Sequence, residues 1–197
     1  MLKVGITGGI GSGKTTICKI FETLDIPIYY ADNRAKWLMV NDVELVKGIK
    51  ELFGKQAYLE NGLLNREYIG SIVFSDKVML EKLNQLVHPA VRLDGENWFQ
   101  SHVDKPYALK EAALHFESGG YKLMDKMITV FAPKAMRINR VMQRDSTTAE
   151  AVKARIDKQL PDSEKVRLAD FVIYNDGTES LIKQVVDVHQ ALVEISR

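Results

Sequence analysis

The sequence has few of the features that would place it outside a reducing compartment or in a membrane. Among its 197 residues there is one cysteine, Cys18, so no disulfide bond can form within the chain. We expect this thiol to be buried against a β-sheet rather than reactive, because the sequence offers it no partner base. No apolar run approaches the ~20 residues needed to cross a bilayer, and the N-terminus lacks the basic and apolar regions of a signal peptide. We therefore expect a cytoplasmic protein that does not bind membranes.

An excess of charge of one sign is also absent. The chain has 27 basic and 26 acidic side chains, for a formal net charge of +1. This balance gives no reason to expect a nucleic acid as partner. Apolar residues make up 46% and charged residues 27%, as in ordinary globular proteins. The length suits one core domain with an insertion, and we expect a monomer or a weak homo-oligomer.

Short apolar segments alternate with segments of helical periodicity. Near-continuous apolar runs predict five strands that are buried on both faces. These strands cover residues 3–7, 26–31, 107–114, 127–132 and 171–174. Apolar residues at helical spacing predict helices over residues 14–23, 133–144, 148–159 and 178–195. Strands that alternate with helices predict the α/β class, with an open parallel sheet of about five strands flanked by helices.

One long segment interrupts this alternation. Residues 41–103 show helical patterns and no convincing strand, and Pro89 is expected to end or kink the longest of these helices. We interpret this segment as a helical insertion that binds the second substrate near the carboxyl ends of the strands. The nucleotide-binding core then comprises residues 1–40 and 104–197, with a small helical lid at about 134–165.

The glycine-rich segment after the first strand carries the most specific motif. Residues 8–15 read Gly-Gly-Ile-Gly-Ser-Gly-Lys-Thr and match G-x-x-x-x-G-K-[ST], the P-loop. In this motif backbone N–H groups bind phosphate oxygens, and the lysine, Lys14, reaches the β- and γ-phosphates of ATP. The hydroxyl of Thr15 is placed to bind Mg²⁺. The predicted nucleotide contacts here are Gly9, Gly11, Ser12, Gly13, Lys14, Thr15 and Thr16.

The P-loop alone does not distinguish a GTPase, an ATPase motor and a kinase. The chain lacks D-x-x-G and N-K-x-D, which a GTPase would carry, and it is short for a motor. A small-molecule kinase needs a base, a pocket for the acceptor and arginines near the transferred phosphate. Asp32 follows the second strand and is either that base or the N-cap of the next helix.

Candidates also exist for the other two requirements. Arg137, Arg140 and Arg144 are spaced three and four residues apart, so they share one helix face, as catalytic arginines or as a solvated basic face. The charged residues around them favour a mobile, exposed lid. Arg66 and the His88-Pro89 pair are candidates for the acceptor pocket, although a lone histidine is more often structural.

Seven elements occur in a fixed order along the chain. They are Gly5–Thr15 with its double glycine, Ala31-Asp32, Gly62-x-Leu64-x-Arg66, His88-Pro89, Phe116-Glu117-Ser118-Gly119, Arg140-x-x-x-Arg144-Asp145 and Ala169-Asp170-x-x-Ile173-x-Asn175-x-Gly177. In this order they resemble the dephospho-CoA kinase family through most of the chain.

The resemblance implies transfer of the γ-phosphoryl group of ATP to the ribose 3′-hydroxyl of dephospho-CoA, with Mg²⁺. It assigns roles to the matched positions, residue by residue. Asp32 is expected to be the general base, while Lys14 and Arg140 stabilise the transferred phosphoryl group. The remaining assignments are Arg66, His88 and Glu117 on the acceptor side, Asn175 and Gly177 beside the adenine, and Arg144 in nucleotide binding.

Three positions depart from the family pattern. Tyr30 replaces the first carboxylate of Asp-Ala-Asp, and Ala113-Leu114-His115 replaces Pro-Leu-Leu. We expect His115 to be a partly exposed residue at the end of a strand. Two other functions stay open: another small-molecule or nucleoside kinase, and a regulator that uses ATP as a switch without transferring phosphate.

Overall fold

The computed structural model describes residues 1–197 as five strands and nine α-helices. The strands are β1 (Leu2–Thr7), β2 (Ile28–Tyr30), β3 (Tyr107–Glu111), β4 (Lys126–Phe131) and β5 (Phe171–Tyr174). The helices are α1 (Lys14–Thr23), α2 (Ala31–Asn41), α3 (Val43–Phe53), α4 (Arg66–Val73), α5 (Lys77–Gln100), α6 (Lys134–Asp145), α7 (Ala149–Ile156), α8 (Asp162–Leu168) and α9 (Leu181–Ile195). Two compact units result, residues 1–29 with 99–197 and residues 30–98.

The first unit is built on one open sheet with the strand order β2-β3-β1-β4-β5. β1 pairs in parallel with both β3 and β4, and β4 pairs in parallel with β5. The predicted five-stranded parallel sheet is therefore confirmed. Because β1 is the central strand, its last four residues are fully covered, and the P-loop leaves the middle of the sheet at its carboxyl edge.

The edge strand β5 is closed by a side chain instead of a further strand. Gln184 of α9 accepts a hydrogen bond from the backbone N–H of Tyr174 at 2.7 Å and donates one to its carbonyl at 2.9 Å. An amide side chain can thus replace one residue of a neighbouring strand. The arrangement satisfies backbone groups that an open edge would leave exposed.

Helices α1 and α9 contact each other and bury apolar faces in the first unit. The buried residues are Ile17, Cys18 and Phe21 of α1 and Val185, Val188 and Leu192 of α9. Burial, with a smaller contribution from the charge of Glu111, raises the pKa of the Cys18 thiol. The prediction that Cys18 is buried is confirmed, and a raised pKa favours the less nucleophilic thiol form.

The second unit has a separate helical core. Its buried residues come from α2 to α5 and the turn between α3 and α4: Leu38, Leu45, Ile49, Phe53, Ala57, Ile69 and Val87. Three of its helices begin at side-chain caps, namely Asp42, Asn65 and Asp76. Apart from Tyr30, the last residue of β2, the unit contains no residue of the five strands. It begins earlier than the predicted insertion because α2 belongs to it.

Pro89 lies inside α5 and does not end it. Proline removes one helical hydrogen bond, so the sequence predicts an end or a kink of the helix at this point. Residues on both sides of it, Leu86 and Val87 before and Ala90 and Val91 after, pack against the same core. This packing keeps the two halves in one helix.

None of the nine α-helices combines the length and apolar character that crossing a membrane requires.

The predicted helix over residues 148–159 is too long, and the helix after it was missed. Thr148 caps α7 through the N–H of Ala151 at 3.3 Å, as its position suggested. The helix then ends at Ile156, and α8 starts only at Asp162. The N–H of the intervening Leu160 donates to Glu117 instead of to a helical carbonyl, and Pro161, the residue before α8, has no N–H with which to continue a helix.

His115 is buried, contrary to our expectation of a partly exposed side chain. Only 2% of its surface is exposed, and its Nε2 lies 2.9 Å from the carbonyl oxygen of Lys110. Gly120 lies beside the ring, since a β-carbon added there would come within 3.3 Å of Nδ1 of His115. Burial lowers the pKa of His115 to about 4, although the hydrogen bond to the carbonyl of Lys110 opposes this shift in part. The ring is therefore neutral at pH 7.

We predict that His115 makes the fold sensitive to mild acid. The unfolded chain binds a proton near pH 6.5 and the folded chain only near 4, so stability falls as the pH drops through this window. Between pH 7 and pH 5 the free energy of unfolding should decrease by about 2 kcal/mol from this group. In urea titrations at both pH values, His115→Gln should lose less stability than the wild type, since glutamine keeps a donor for Lys110 but does not titrate. Equal losses in the two proteins would contradict this assignment.

Candidate active site

The P-loop connects the end of β1 to the start of α1. Gly11 and Gly13 have positive φ angles of 79° and 94°, and Gly13 is the N-cap of α1. A hydrogen bond of 3.0 Å from Ser12 N–H to the carbonyl of Gly9 closes the turn. The backbone therefore curves in the way that lets successive N–H groups face one ligand.

Glycine is required in this loop for space as well as for conformation. A β-carbon on Gly11 would lie 2.6 Å from the backbone oxygen of Arg137, and one on Gly13 would overlap the amide nitrogen of Asn175. The loop thus lies directly against α6 on one side and against the residue that follows β5 on the other. No larger residue fits at these positions without moving one of these neighbours.

Lys14 lies over the loop from the first turn of α1. Its Nζ donates to the carbonyl of Gly8 at 3.0 Å and lies 4.0 Å from a carboxylate oxygen of Glu111, and its side chain is only 11% exposed. The ammonium group is therefore held next to the loop amides. Thr15 and Thr16, by contrast, are exposed in the first turn of the same helix.

The structure brings three of the predicted residues together beside the P-loop. Arg140 of α6 donates from Nη2 to the backbone and side-chain oxygens of Asn175, at 3.3 and 3.2 Å. Asn175 in turn donates to the carbonyl of Ser12 at 2.8 Å. The other terminal nitrogen of Arg140, Nη1, is buried and has no hydrogen-bond partner. Asn175 thus links Arg140 to the P-loop. This contact was not part of its predicted role beside the adenine.

The other two arginines of α6 have different surroundings. Arg137 is 1% exposed, donates to the carbonyl of Ile10 at 3.3 Å and forms an ion pair with Asp162. It is neither part of a solvated basic face nor free to contact a phosphate. Arg144 is 63% exposed and binds the neighbouring carboxylate of Asp145 at 2.7 Å. The three arginines therefore do not form one functional row.

Glu117 binds the segment between α7 and α8. Its Oε1 accepts from the N–H of Leu160 at 2.8 Å and lies 2.9 Å from Nζ of Lys165, whose side chain is completely buried. Burial by itself raises the pKa of Glu117, but the hydrogen bonds from Lys165 and Leu160 outweigh this effect and lower it. Glu117 is therefore ionised, and its predicted contact with the acceptor stays a prediction.

Gln159 is the residue that sequence reasoning missed. Its Oε1 accepts a hydrogen bond of 2.9 Å from the N–H of Ile10, inside the P-loop. Within the predicted lid, Gln159 is thus bound to the P-loop, and Leu160 and Lys165 are bound to Glu117. The mobility of the lid stays a prediction. No sequence signal marked Gln159, since a lone glutamine after a helix resembles any surface residue.

The remaining predicted residues lie mainly in the second unit. Asp32 is exposed in the first turn of α2, whose N-cap is Tyr30, so the alternative that Asp32 caps this helix is wrong. Arg66 is the first residue of α4, and His88 precedes Pro89 in α5, and both are exposed. Gly177 is in the first unit, with a positive φ of 88° in the turn after β5. Their predicted contacts with substrates stay predictions.

Comparison with known proteins gives a consistent family assignment. The family model described as dephospho-CoA kinase matches residues 2–180. A dephospho-CoA kinase of Chlorobaculum tepidum is 39% identical over 201 residues, covering 98% of this chain and 96% of that protein. One from Salinibacter ruber is 42% identical over 180 residues, covering 90% of each.

A solved structure agrees with these sequence matches. The dephospho-CoA kinase from Campylobacter jejuni superposes with a TM-score of 0.73 at 30% identity, covering 99% of this chain and 98% of that one. The family model extends over the P-loop, Arg140 and the Asn175 turn, which the structure places together. The chain therefore belongs to the dephospho-CoA kinase family.

Proposed function

We propose that this protein transfers the γ-phosphoryl group of ATP to the ribose 3′-hydroxyl of dephospho-CoA, giving ADP and coenzyme A. This reaction is the last step of coenzyme A biosynthesis. Membership in the dephospho-CoA kinase family supports the choice of acceptor. The geometry of the P-loop supports the choice of a nucleoside triphosphate as donor.

One structural observation carries the proposal for the donor site. Two polar atoms next to the P-loop, Ser12 Oγ and Arg140 Nη1, are buried and lack a hydrogen-bond partner within the protein. An unpaired guanidinium nitrogen in such a place costs free energy unless a ligand or water satisfies it. Phosphate oxygens match this need, because guanidinium groups bind them with strong, charge-assisted hydrogen bonds.

Each of the proposed catalytic residues has a separate role in the reaction. The amides of the P-loop and Lys14 hold the β- and γ-phosphates, while Arg140 follows the charge that develops on the transferred group. The 3′-oxygen of the acceptor forms a bond to the γ-phosphorus as the bond from that phosphorus to the bridging oxygen of ADP breaks. The carboxylate of Asp32 accepts the proton that leaves the 3′-hydroxyl.

A magnesium ion is the expected partner of the nucleotide. The protein offers one suitable ligand, the hydroxyl of Thr15, and no group of three or more acidic, histidine or cysteine side chains that could hold a metal by itself. This set fits Mg²⁺, which usually keeps several waters and binds through phosphates plus few protein groups. When bound, the ion would neutralise charge on the phosphates.

Three of the predicted residues are candidates to bind the acceptor. Arg66 and His88 are exposed polar residues of the helical second unit, and Glu117 follows β3 in the first. We propose that they bind dephospho-CoA, on the basis of their matches to the family motifs. Asn175 and Gly177 are proposed to border the adenine of ATP, and Arg144 to assist in binding the nucleotide.

An assay of ADP release should identify the acceptor. We expect magnesium-dependent turnover with dephospho-CoA, and only background release with adenosine or without an acceptor. A better rate with adenosine would instead indicate a nucleoside kinase. ATP binding without turnover on any acceptor would indicate the regulatory alternative.

We predict that Asp32→Asn lowers kcat by on the order of 10²-fold or more, because an amide cannot accept the proton. The affinity for ATP, measured by calorimetry, should stay close to that of the wild type. Glu51→Gln makes the same chemical change at an exposed position of α3 and should leave kcat unaltered. An unchanged kcat in the Asp32 variant would remove this residue from the mechanism.

We predict that Arg140→Lys lowers kcat on the order of 10²-fold, since a single ammonium cannot bind Asn175 and a phosphate oxygen in the same geometry. Arg167→Lys serves as the control, because Arg167 is 68% exposed and pairs only with the nearby Glu164. Steady-state kinetics and thermal unfolding should be measured on both variants. A loss of thermal stability with normal kcat would count against the catalytic assignment of Arg140.

A further inference from the structure

Ile10 lies in the middle of the P-loop, and side chains from outside the loop bind both of its backbone polar groups. Its N–H donates to Oε1 of Gln159 at 2.9 Å, and its carbonyl accepts from Nη1 of Arg137 at 3.3 Å. Most backbone groups in loops bind other backbone groups or water. Here two separate side chains determine how the peptide groups on either side of Ile10 are turned.

The side chain of Arg137 is fixed next to the P-loop by burial and by an ion pair. Its side chain is almost fully buried, and its Nη2 pairs with the carboxylate of Asp162, the first residue of α8. A β-carbon added to Gly9 would overlap Nη1 of Arg137, so this guanidinium directly contacts the loop backbone. Burying a cation costs free energy unless it is paired and hydrogen-bonded. Ile10 and Asp162 supply partners for its two terminal nitrogens, while its Nε is buried without one.

Gln159 and Asp162 belong to one short segment, residues 159–162, which follows α7 and ends at the first residue of α8. Between them, Leu160 donates its N–H to Glu117 at 2.8 Å. Glu117 also pairs with the buried Lys165, one turn into α8. The segment is thus attached at several points to the rest of the first unit, which gives it a fixed position from which to hold the P-loop.

We propose that Gln159 and Arg137 are positioning residues for the phosphate site. They fix the two peptide groups around Ile10, so that the amides of the P-loop are already turned toward the phosphates before ATP binds. Preorganised donors bind a ligand more tightly because no ordering cost remains. This inference rests on the proposed ATP site and adds to it two residues that need not touch the nucleotide.

The first test replaces the acceptor of the Ile10 N–H. Gln159→Leu has nearly the same size but cannot accept a hydrogen bond, and Gln143→Leu makes the same change at an exposed position of α6. We expect Gln159→Leu to raise KM for ATP about 5- to 10-fold, as for the loss of one hydrogen bond, with KM for dephospho-CoA and kcat within about twofold of the wild type. Amide hydrogen exchange of residues 8–14 should become faster. Gln143→Leu should change neither quantity.

A second test separates positioning from stability at Arg137. Arg137→Leu alone leaves Asp162 without its partner and is expected to destabilise the fold. The double variant Arg137→Leu/Asp162→Leu removes both charges and should recover much of that stability. The Ile10 carbonyl still lacks its donor, so KM for ATP should remain raised although the protein is folded.

The two tests overturn the proposal under defined outcomes. A folded double variant with wild-type KM for ATP would show that Arg137 has only a structural role. Wild-type KM and exchange rates in Gln159→Leu would do the same for Gln159. Binding of a non-hydrolysable ATP analogue, measured without an acceptor, keeps these outcomes separate from the proposed reaction, because it tests the site even if dephospho-CoA is not the acceptor.

Discussion

The P-loop backbone has to keep several N–H groups pointed into one concavity, and such an arrangement leaves few hydrogen bonds within the loop itself. Its shape therefore depends on neighbours. Asn175 binds the carbonyl of Ser12, and Gln159 and Arg137 bind the two polar groups of Ile10. The glycines permit these contacts because they bring the loop close to α6 and to the end of β5. The central position of β1 supplies the rigid base from which the loop leaves the sheet.

Two buried cations and their carboxylate partners help to fix the position of the segment between α7 and α8. Arg137 and Lys165 are the two fully buried cations, and each pairs with a carboxylate, Asp162 and Glu117 respectively. Such pairs contribute little net stability, because desolvation offsets most of their attraction, but a wrong arrangement would leave a charge unpaired. They thus favour one position of the α7–α8 segment over others. That position is the one in which Gln159 reaches the P-loop.

Local sequence patterns predicted the sheet and the P-loop well. They failed where contacts between residues distant in sequence determine the structure. The strand segments and the P-loop follow from apolar runs and glycine spacing within a few residues. By contrast, Pro89 continues a helix because both flanks pack on one core. His115 is buried, with its ring bonded to the carbonyl of Lys110. The spacing of Arg137, Arg140 and Arg144 suggested one row. In the structure each arginine has a different environment. Arg137 binds Ile10 and Asp162, Arg140 binds Asn175, and Arg144 binds Asp145.

The sequence by itself determined the parallel α/β fold, the phosphate-binding loop and the family. Each of these can be recognised from short motifs and from the spacing of apolar residues that are close together along the chain. Only the tertiary structure decided which polar side chains hold that loop in shape. Ile10 and Gln159 are far apart along the chain, as are Arg137 and Ile10, and no local pattern specifies such pairs. They exist because the sheet places the end of β1 next to α6 and next to the segment that leads into α8.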